Sequence, residues 1–426
     1  MSSPLAVHGG TPLIEQPAPH LQWPPITQAT TEAVVQQLHR AVSIPDRSGV
    51  IAELEDRLAE YFGVRWVVLT SSGTAALHSA FASLELDDGD EVIVPAYTFH
   101  ATATPLLHLR ATPVLVDCDT TGNLDPAQVE AAITSATRAI VVTHMWGLPA
   151  QIETLRAIAD RHGLDLIEDG SHAHGARVNG RKVGTFGRAS AFSMNGPKSL
   201  SAGEGGFVLT NDEEVYYRVL LHGQYNKRCR NEIPADHPLH RFAVTGTGLK
   251  LRIHPLAAAL AIDQLASLDA WLEQRRKNAE QMIQRLRELP GISVPDVPAG
   301  TAPSWYAMPL LYRPPHDDGP PIDVVARSVH PAWRVRRLRC RTRACSLQIH
   351  REPNTVLASG SRPGCARQKR STETTVQRIS LTEPLIIVAA SMPASFAVWP
   401  GWSSLATALI SPSRFPAMSS TAIMAQ

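Results

Sequence analysis

The sequence predicts an α/β fold, a mostly parallel sheet flanked by helices and followed by a smaller C-terminal α/β domain whose pattern is disrupted. Three observations carry this. Short apolar runs alternate with helical patterns over residues 50–210, the arrangement that covers a parallel sheet on both faces. Small or acidic residues follow several of those runs, at the strand ends where open α/β sheets bind ligands. Composition then changes abruptly: residues 1–327 carry 27 Lys+Arg against 36 Asp+Glu, residues 328–426 carry 13 against 3. The expected organisation is a large domain over 1–255, a linker helix and the start of the small domain over 256–323, and an anomalous tail over 324–426.

In order along the chain, Val50 to Gly63 places Ile51, Leu54, Leu58 and Phe62 on one helical face and stops at a glycine. The strand Trp66–Leu69 runs into Thr70-Ser71-Ser72-Gly73-Thr74-Ala75. Small residues at such a strand-to-helix turn leave the first amides of the helix open, which suits a phosphate as well as an ordinary Ser or Thr cap. Glu91–Pro95 is the next strand, with Phe99 shortly after it; this ring could lie flat on a heterocycle or simply join the core. Pro113–Val116 and Ala139–Thr143 are further strands. His144 could face a ligand or be structural. Leu221 to Phe242 reads as a polar, irregular loop, and His254 to Leu289 as a helix leading towards the small domain.

Two stretches carry the chemistry. Lys198 lies between the apolar run Ala189–Ser193 and the turn Gly203-Glu204-Gly205-Gly206. A lysine that must condense with an aldehyde needs partial burial and a rigid seat to shed its proton near neutrality. Taken alone, a lysine beside glycines is an ordinary turn lysine. Upstream, the strand Leu164–Ile167 ends in Glu168-Asp169-Gly170-Ser171-His172. Asp169 is thereby placed at a crevice, able to hold a cationic ring nitrogen. A lysine for an aldehyde and an acid for a pyridinium nitrogen are the two requirements of pyridoxal 5'-phosphate.

Glu168-Asp169 with His172, then Ser193, Lys198 and Gly203-Glu204-Gly205-Gly206, resembles the DegT/StrS family of pyridoxal-phosphate-dependent sugar and cyclitol aminotransferases, which have the type I fold of such enzymes. The resemblance runs from about His8-Gly9-Gly10 to Tyr312. It implies that Lys198 carries the cofactor and shuttles the proton, that Asp169 protonates the ring, and that Phe99 stacks on it. It further implies that Gly73, Thr74 and Ser193 hold the phosphate. His172 stands where many members have glutamine beside the ring hydroxyl, and Lys250 stands where members commonly have an asparagine that reaches the phosphate of a partner subunit. A homodimer is thus implied. So is amino transfer from L-glutamate or L-glutamine to a keto-sugar or keto-cyclitol, in antibiotic or surface-sugar biosynthesis. A dehydratase branch of the family has histidine in place of this lysine; Lys198 argues against it. The alternative reading is a cofactor-binding but catalytically impaired protein with a regulatory or scaffold role, since the small domain helps close the site.

The remaining features exclude other classes. Net charge is +1, but the arginine run Arg334 to Arg343 in the basic tail could bind nucleic acid or anionic lipid; no aromatic stacking module accompanies it, so neither partner is expected. Five cysteines at irregular spacing argue for a reducing compartment, and no ligand spacing for a metal is complete. The N-terminus lacks a basic start and an apolar core, so a cytoplasmic location is expected. In the tail, Arg334 to Arg343 has no helix or strand period, and Leu385 to Ile410 carries no charge but contains Pro393, Pro400 and Gly401, which weaken a membrane span. An excess of Arg, Ser and Pro with few acids is what reading a GC-rich gene out of frame would give, and order is not expected there.

Overall fold

The computed structural model describes residues 23–288, 291–312, 334–336 and 387–391. In chain order the elements are α1 (Gln28–Arg40), α2 (Gly49–Phe62), β1 (Trp66–Thr70), α3 (Gly73–Ala82), β2 (Glu91–Pro95), α4 (Thr104–His108), β3 (Thr112–Val116), α5 (Pro126–Ala132) and β4 (Thr137–Thr143). There follow α6 (Ile152–His162), β5 (Asp165–Asp169), the short pair β6 (Arg177–Val178) and β7 (Arg181–Lys182), β8 (Ala189–Ser193), β9 (Gly206–Thr210), α7 (Glu213–Gly223), α8 (Lys227–Glu232) and α9 (Pro255–Leu286). Last come β10 (Ile292–Ser293), β11 (Thr301–Ala302), β12 (Ala307–Tyr312), β13 (Arg334–Arg336) and β14 (Ile387–Ser391).

Among the described residues the main sheet has seven strands in the order β1-β9-β8-β5-β4-β2-β3. β2, β3, β4, β5 and β8 pair in parallel, while β9 is antiparallel to both its neighbours. The sheet is therefore mostly parallel, as the strand–helix alternation predicts. Its strands are buried on both faces, so successive residues serve different cores. In β4, Ala139 and Val141 join the cluster containing Phe81 and Leu220, whereas Ile140 and Val142 join the cluster containing Leu155 and Ile158.

The predicted helix before β1 forms as α2, with Ile51, Leu54, Leu58 and Phe62 all buried and Gly63 ending it in the left-handed region at φ 72°. It packs with α9 against β1, β8 and β9. The long helix α9 starts on His254, whose ring accepts from the Leu256 amide.

The segment read as an irregular loop after Leu221 differs from that expectation. It holds the end of α7, then α8 and a short 3-10 turn over Pro238–Phe242. The physical reason is Arg228. It is 1% exposed, and its guanidinium takes both oxygens of the buried Glu55 at 2.7 and 2.8 Å and Glu232 at 2.8 Å. Glu55 also accepts from the Leu69 amide at 3.0 Å and from Arg47 at 3.1 Å. A run rich in charge thus becomes ordered because its cation meets buried acceptors.

β12 pairs with β10 on one side and β14 on the other, and β13 pairs with β14. Within the tail that was expected to lack a strand period, the backbone of Arg334–Arg336 and Ile387–Ser391 is extended and paired. The rest of the arginine run, the out-of-frame reading of the tail, most of Leu385 to Ile410, and the start of the resemblance at His8-Gly9-Gly10 lie outside the described residues. Among the described residues no helix is long and apolar enough to cross a membrane, and no group of three or more His, Cys, Asp or Glu could hold a metal.

Candidate active site

β5 and β8 lie side by side in the middle of the sheet, Asp169 opposite Ala191. Their C-terminal ends deliver the two residues on which the sequence reading turns. Asp169 is 4% exposed. One carboxylate oxygen accepts from Thr102 Oγ1 at 2.8 Å and the other from the Ser171 amide at 3.1 Å. Its neighbour Glu168 points the other way and is saturated: it accepts from the amides of Gly184, Phe186 and Gly187, each at 2.7 Å, and meets His144 at 3.0 Å. His144 Nδ1 accepts from the Ala150 amide, so Nε2 carries the proton and donates to Glu168. Both ring nitrogens are engaged; His144 is structural.

Lys198 sits just beyond β8 in a turn closed by its amide on the Asn195 carbonyl at 2.9 Å. Burial pushes its amine down to about 8, against an opposing pull from the Asp169 carboxylate. The amine lies 4.8 Å from the centre of the Tyr306 ring. Tyr306 in turn stacks on His172 at 4.2 Å and 9°, and Trp146 lies 6.0 Å beyond His172 at 20°. His172 is held well below the usual imidazole range, first by burial and then by the charge of Lys198. Its Nδ1 is buried and takes no partner among the described residues. His174 lies deeper, beside Phe192, and burial takes it down to about 3.

The third part is at the start of α3. Ser72 caps the helix by accepting from the Ala75 amide. Gly73 comes so close to β8 that a Cβ there would stand 2.5 Å from Ser193 Cβ, and Gly206 passes Ser72 just as tightly, with 2.5 Å to its carbonyl carbon. Only glycine permits these approaches. They bring the open amides of Gly73 and Thr74 to the Ser193 hydroxyl, a group of donors at a helix N-terminus suited to a phosphate.

Of the predicted site residues, the fold thus gathers Gly73, Thr74 and Ser193 at one place, and Asp169, Lys198 and His172 at another along the same strand ends. Phe99 stands at the mouth, 57% exposed, at the start of the 3-10 turn that supplies Thr102. Lys250 is exposed, and its neighbour Leu251 accepts from the Ser71 amide at 2.7 Å. Among the described residues no hydrogen bond or ion pair ties Lys250 itself to the donors at Gly73 and Ser193. Thr102, Tyr306, Trp146 and Trp23 were missed by the sequence reading; each reaches the site from a distant element, and no local spacing signals it.

The model of the DegT/DnrJ/EryC1/StrS aminotransferase family matches residues 26–320. The chain belongs to this family. Over 314 residues this aminotransferase is 40% identical to the L-glutamine:2-deoxy-scyllo-inosose aminotransferase of Streptomyces kanamyceticus, covering 72% of this chain and 73% of that one. Its fold is similar to that of a solved aminotransferase from Psychrobacter cryohalolentis, with TM-score 0.66, 30% identity and coverage of 72% and 81%. It is also similar to the E. coli GDP-4-keto-6-deoxy-D-mannose-3-dehydratase solved with bound hydrated PLP, with TM-score 0.63, 26% identity and coverage of 71% and 80%.

Proposed function

We propose that this aminotransferase moves the amino group of L-glutamine to a keto-cyclitol, with pyridoxal phosphate as cofactor. The observation that carries the reading is the pairing of a half-buried, easily deprotonated Lys198 with the buried Asp169 across one crevice. The residues fit the cofactor at three points. The donors of Gly73, Thr74 and Ser193 suit its phosphate, Asp169 suits the pyridine nitrogen, and Lys198 suits the aldehyde. Phe99, exposed at the mouth, is the residue to cover the ring, and His172 the one to reach its hydroxyl. When bound, pyridoxal phosphate supplies the electron sink that makes the Cα–H of the donor acidic.

Lys198 has two tasks. With its amine pushed down to about 8, about one molecule in ten has it neutral at pH 7, against less than one in a thousand for an ordinary lysine. That neutral fraction is what condenses with an aldehyde. Freed from it, the same Nζ takes the proton from the donor Cα, acting as general base, and later returns it as general acid. Asp169, oriented by Thr102 and by the Ser171 amide, keeps the ring nitrogen protonated. The relative from S. kanamyceticus is named for glutamine and an inosose, which supports this donor and this class of ketone over glutamate and nucleotide-linked sugars. A homodimer in which Lys250 of one subunit serves the phosphate of the other, in the cytoplasm, completes the reading.

The test is turnover of the purified protein with pyridoxal phosphate. Incubated with L-glutamine and 2-deoxy-scyllo-inosose, it is expected to yield the amino-cyclitol, with glutamate a poorer donor. Cofactor that binds but leaves every keto-cyclitol and keto-sugar unconverted would instead favour the silent, cofactor-binding protein.

A further inference from the structure

Trp23 donates its indole N–H to the carbonyl oxygen of Lys198 at 2.9 Å, across 175 residues of sequence. With the Lys198 amide already on Asn195, both backbone polar groups of the key lysine are engaged, inside a turn that makes few ladder bonds. The indole is itself anchored. Its ring meets Trp271 of α9 edge-on at 5.2 Å, and the Arg275 guanidinium lies 4.6 Å over it. Arg275 is buried and donates to the Trp305 carbonyl at 3.1 Å, one residue before Tyr306, whose ring lies beneath the Lys198 amine. The segment after Trp23 is tied to the same helix, since Gln264 donates to the Pro25 carbonyl at 3.0 Å and Thr30 to Asp263 at 2.5 Å. The N-terminal arm, α9 and the Trp305–Tyr306 segment thus close a ring of contacts around Lys198.

We propose that Trp23 is a positioning residue for Lys198: its indole N–H, braced by Trp271 and Arg275, fixes the lysine backbone and so aims the amine between Asp169 and the Tyr306 ring. This rests on the assignment of Lys198 as the cofactor-bearing lysine. The leverage is geometric. The amine stands five bonds from the Cα, so a small rotation of the backbone moves it far. A misplacement of about 1 Å at a reacting group costs about 10²-fold in rate. Releasing the carbonyl also lets the amine reach solvent, which weakens the desolvation that favours its neutral form. The titratable or charged groups around it, Asp169 on β5, His172 and His174 after it, Tyr306 before β12 and Arg275 on α9, are all left in place when the indole N–H alone is removed.

Trp23→Phe keeps a ring for Trp271 and Arg275 and deletes the donor. In the cofactor-free protein, the rate at which acetic anhydride labels Lys198 is followed against pH by mass spectrometry of its peptide, with the exposed Lys227 as internal control. Wild type is expected to titrate near 8. The variant is expected to titrate higher by half a unit or more while Lys227 is unchanged, and in the holoenzyme its kcat falls about tenfold, the weight of one hydrogen bond, with the KM of the donor changed less than about twofold. An unaltered Lys198 titration and kcat in a folded Trp23→Phe protein overturn the proposal. Replacing Trp23 by 3-benzothienylalanine, which has sulfur where the indole has N–H, applies the same test with the ring shape kept, and it decides the matter should the phenylalanine variant not fold. Borohydride trapping of wild type and of the Trp23→Phe protein separates the two readings. Cofactor trapped on another lysine defeats the assignment of Lys198, whereas cofactor on Lys198 in both proteins with identical titrations defeats only the role of Trp23.

Discussion

Two regions of this aminotransferase bury charge, and they do so in opposite ways. At the corner of α2 and α8, Arg228 is nearly inaccessible, yet its guanidinium meets Glu55 and Glu232, and the remaining lone pairs of Glu55 are taken by the Leu69 amide and Arg47. Those carboxylates push the arginine further up despite its burial. At the strand ends, Lys198 is pushed down instead, with only Asp169 pulling against its burial. Around it, His172 Nδ1, both nitrogens of His174 and Arg275 Nε are buried without a hydrogen bond among the described residues. Charge that is fully met by its neighbours holds a structure together; charge left partly unmet is kept reactive for a ligand. Glu168 and Asp169 repeat the lesson in adjacent residues, one saturated by three amides and a histidine, the other holding two donors and facing the crevice.

The contrast can be broken at either end. The largest effect is expected from Lys198→Arg, which keeps the charge and abolishes the neutral amine: turnover with L-glutamine and an inosose should fall by more than about 10³-fold, with the melting temperature close to that of wild type. Next comes Arg228→Met, expected to leave kcat in the folded fraction intact while destabilising the protein by about 3–5 kcal/mol, because Glu55 is then buried without its partner; urea unfolding measures it. Asp169→Asn should lower kcat by about 10²-fold, as loss of one preorganised charge does, and leave urea unfolding nearly unchanged. The smallest effect is in pH. Burial holds His222 down to about 4, so below the ordinary imidazole value of about 6.5 the unfolded chain binds a proton that the folded chain does not, and stability falls as pH falls. Between pH 7 and 5.5 this one group is expected to remove about 1 kcal/mol, and His222→Gln should flatten that slope in a pH series of melting temperatures.

The sheet was legible because its strands are continuous apolar runs between helical patterns, and α2 because Ile51, Leu54, Leu58 and Phe62 share a face. Lys198, Asp169 and the turn at Gly73-Thr74 could be singled out as candidates because each stands at a strand end beside small residues, and Ser193 through the family resemblance. What was not legible depends on pairs distant in sequence. Arg228 looked like one charge in an irregular loop until Glu55 supplied its partner from 173 residues away. Nothing in the local sequence marks Thr102 as a partner of Asp169, and nothing near Trp23 or Tyr306 distinguishes them from core aromatics. Periodicity tells which face of an element is buried, and it carries no information on which far residue waits there.

The central claim is tested most directly by locating the covalent bond. The protein loaded with pyridoxal phosphate is reduced with borohydride, digested and mapped by mass spectrometry. The account predicts the reduced pyridoxyl adduct on Lys198 and its loss in Lys198→Arg. An adduct on Lys182 or Lys250, or one retained in Lys198→Arg, would contradict it.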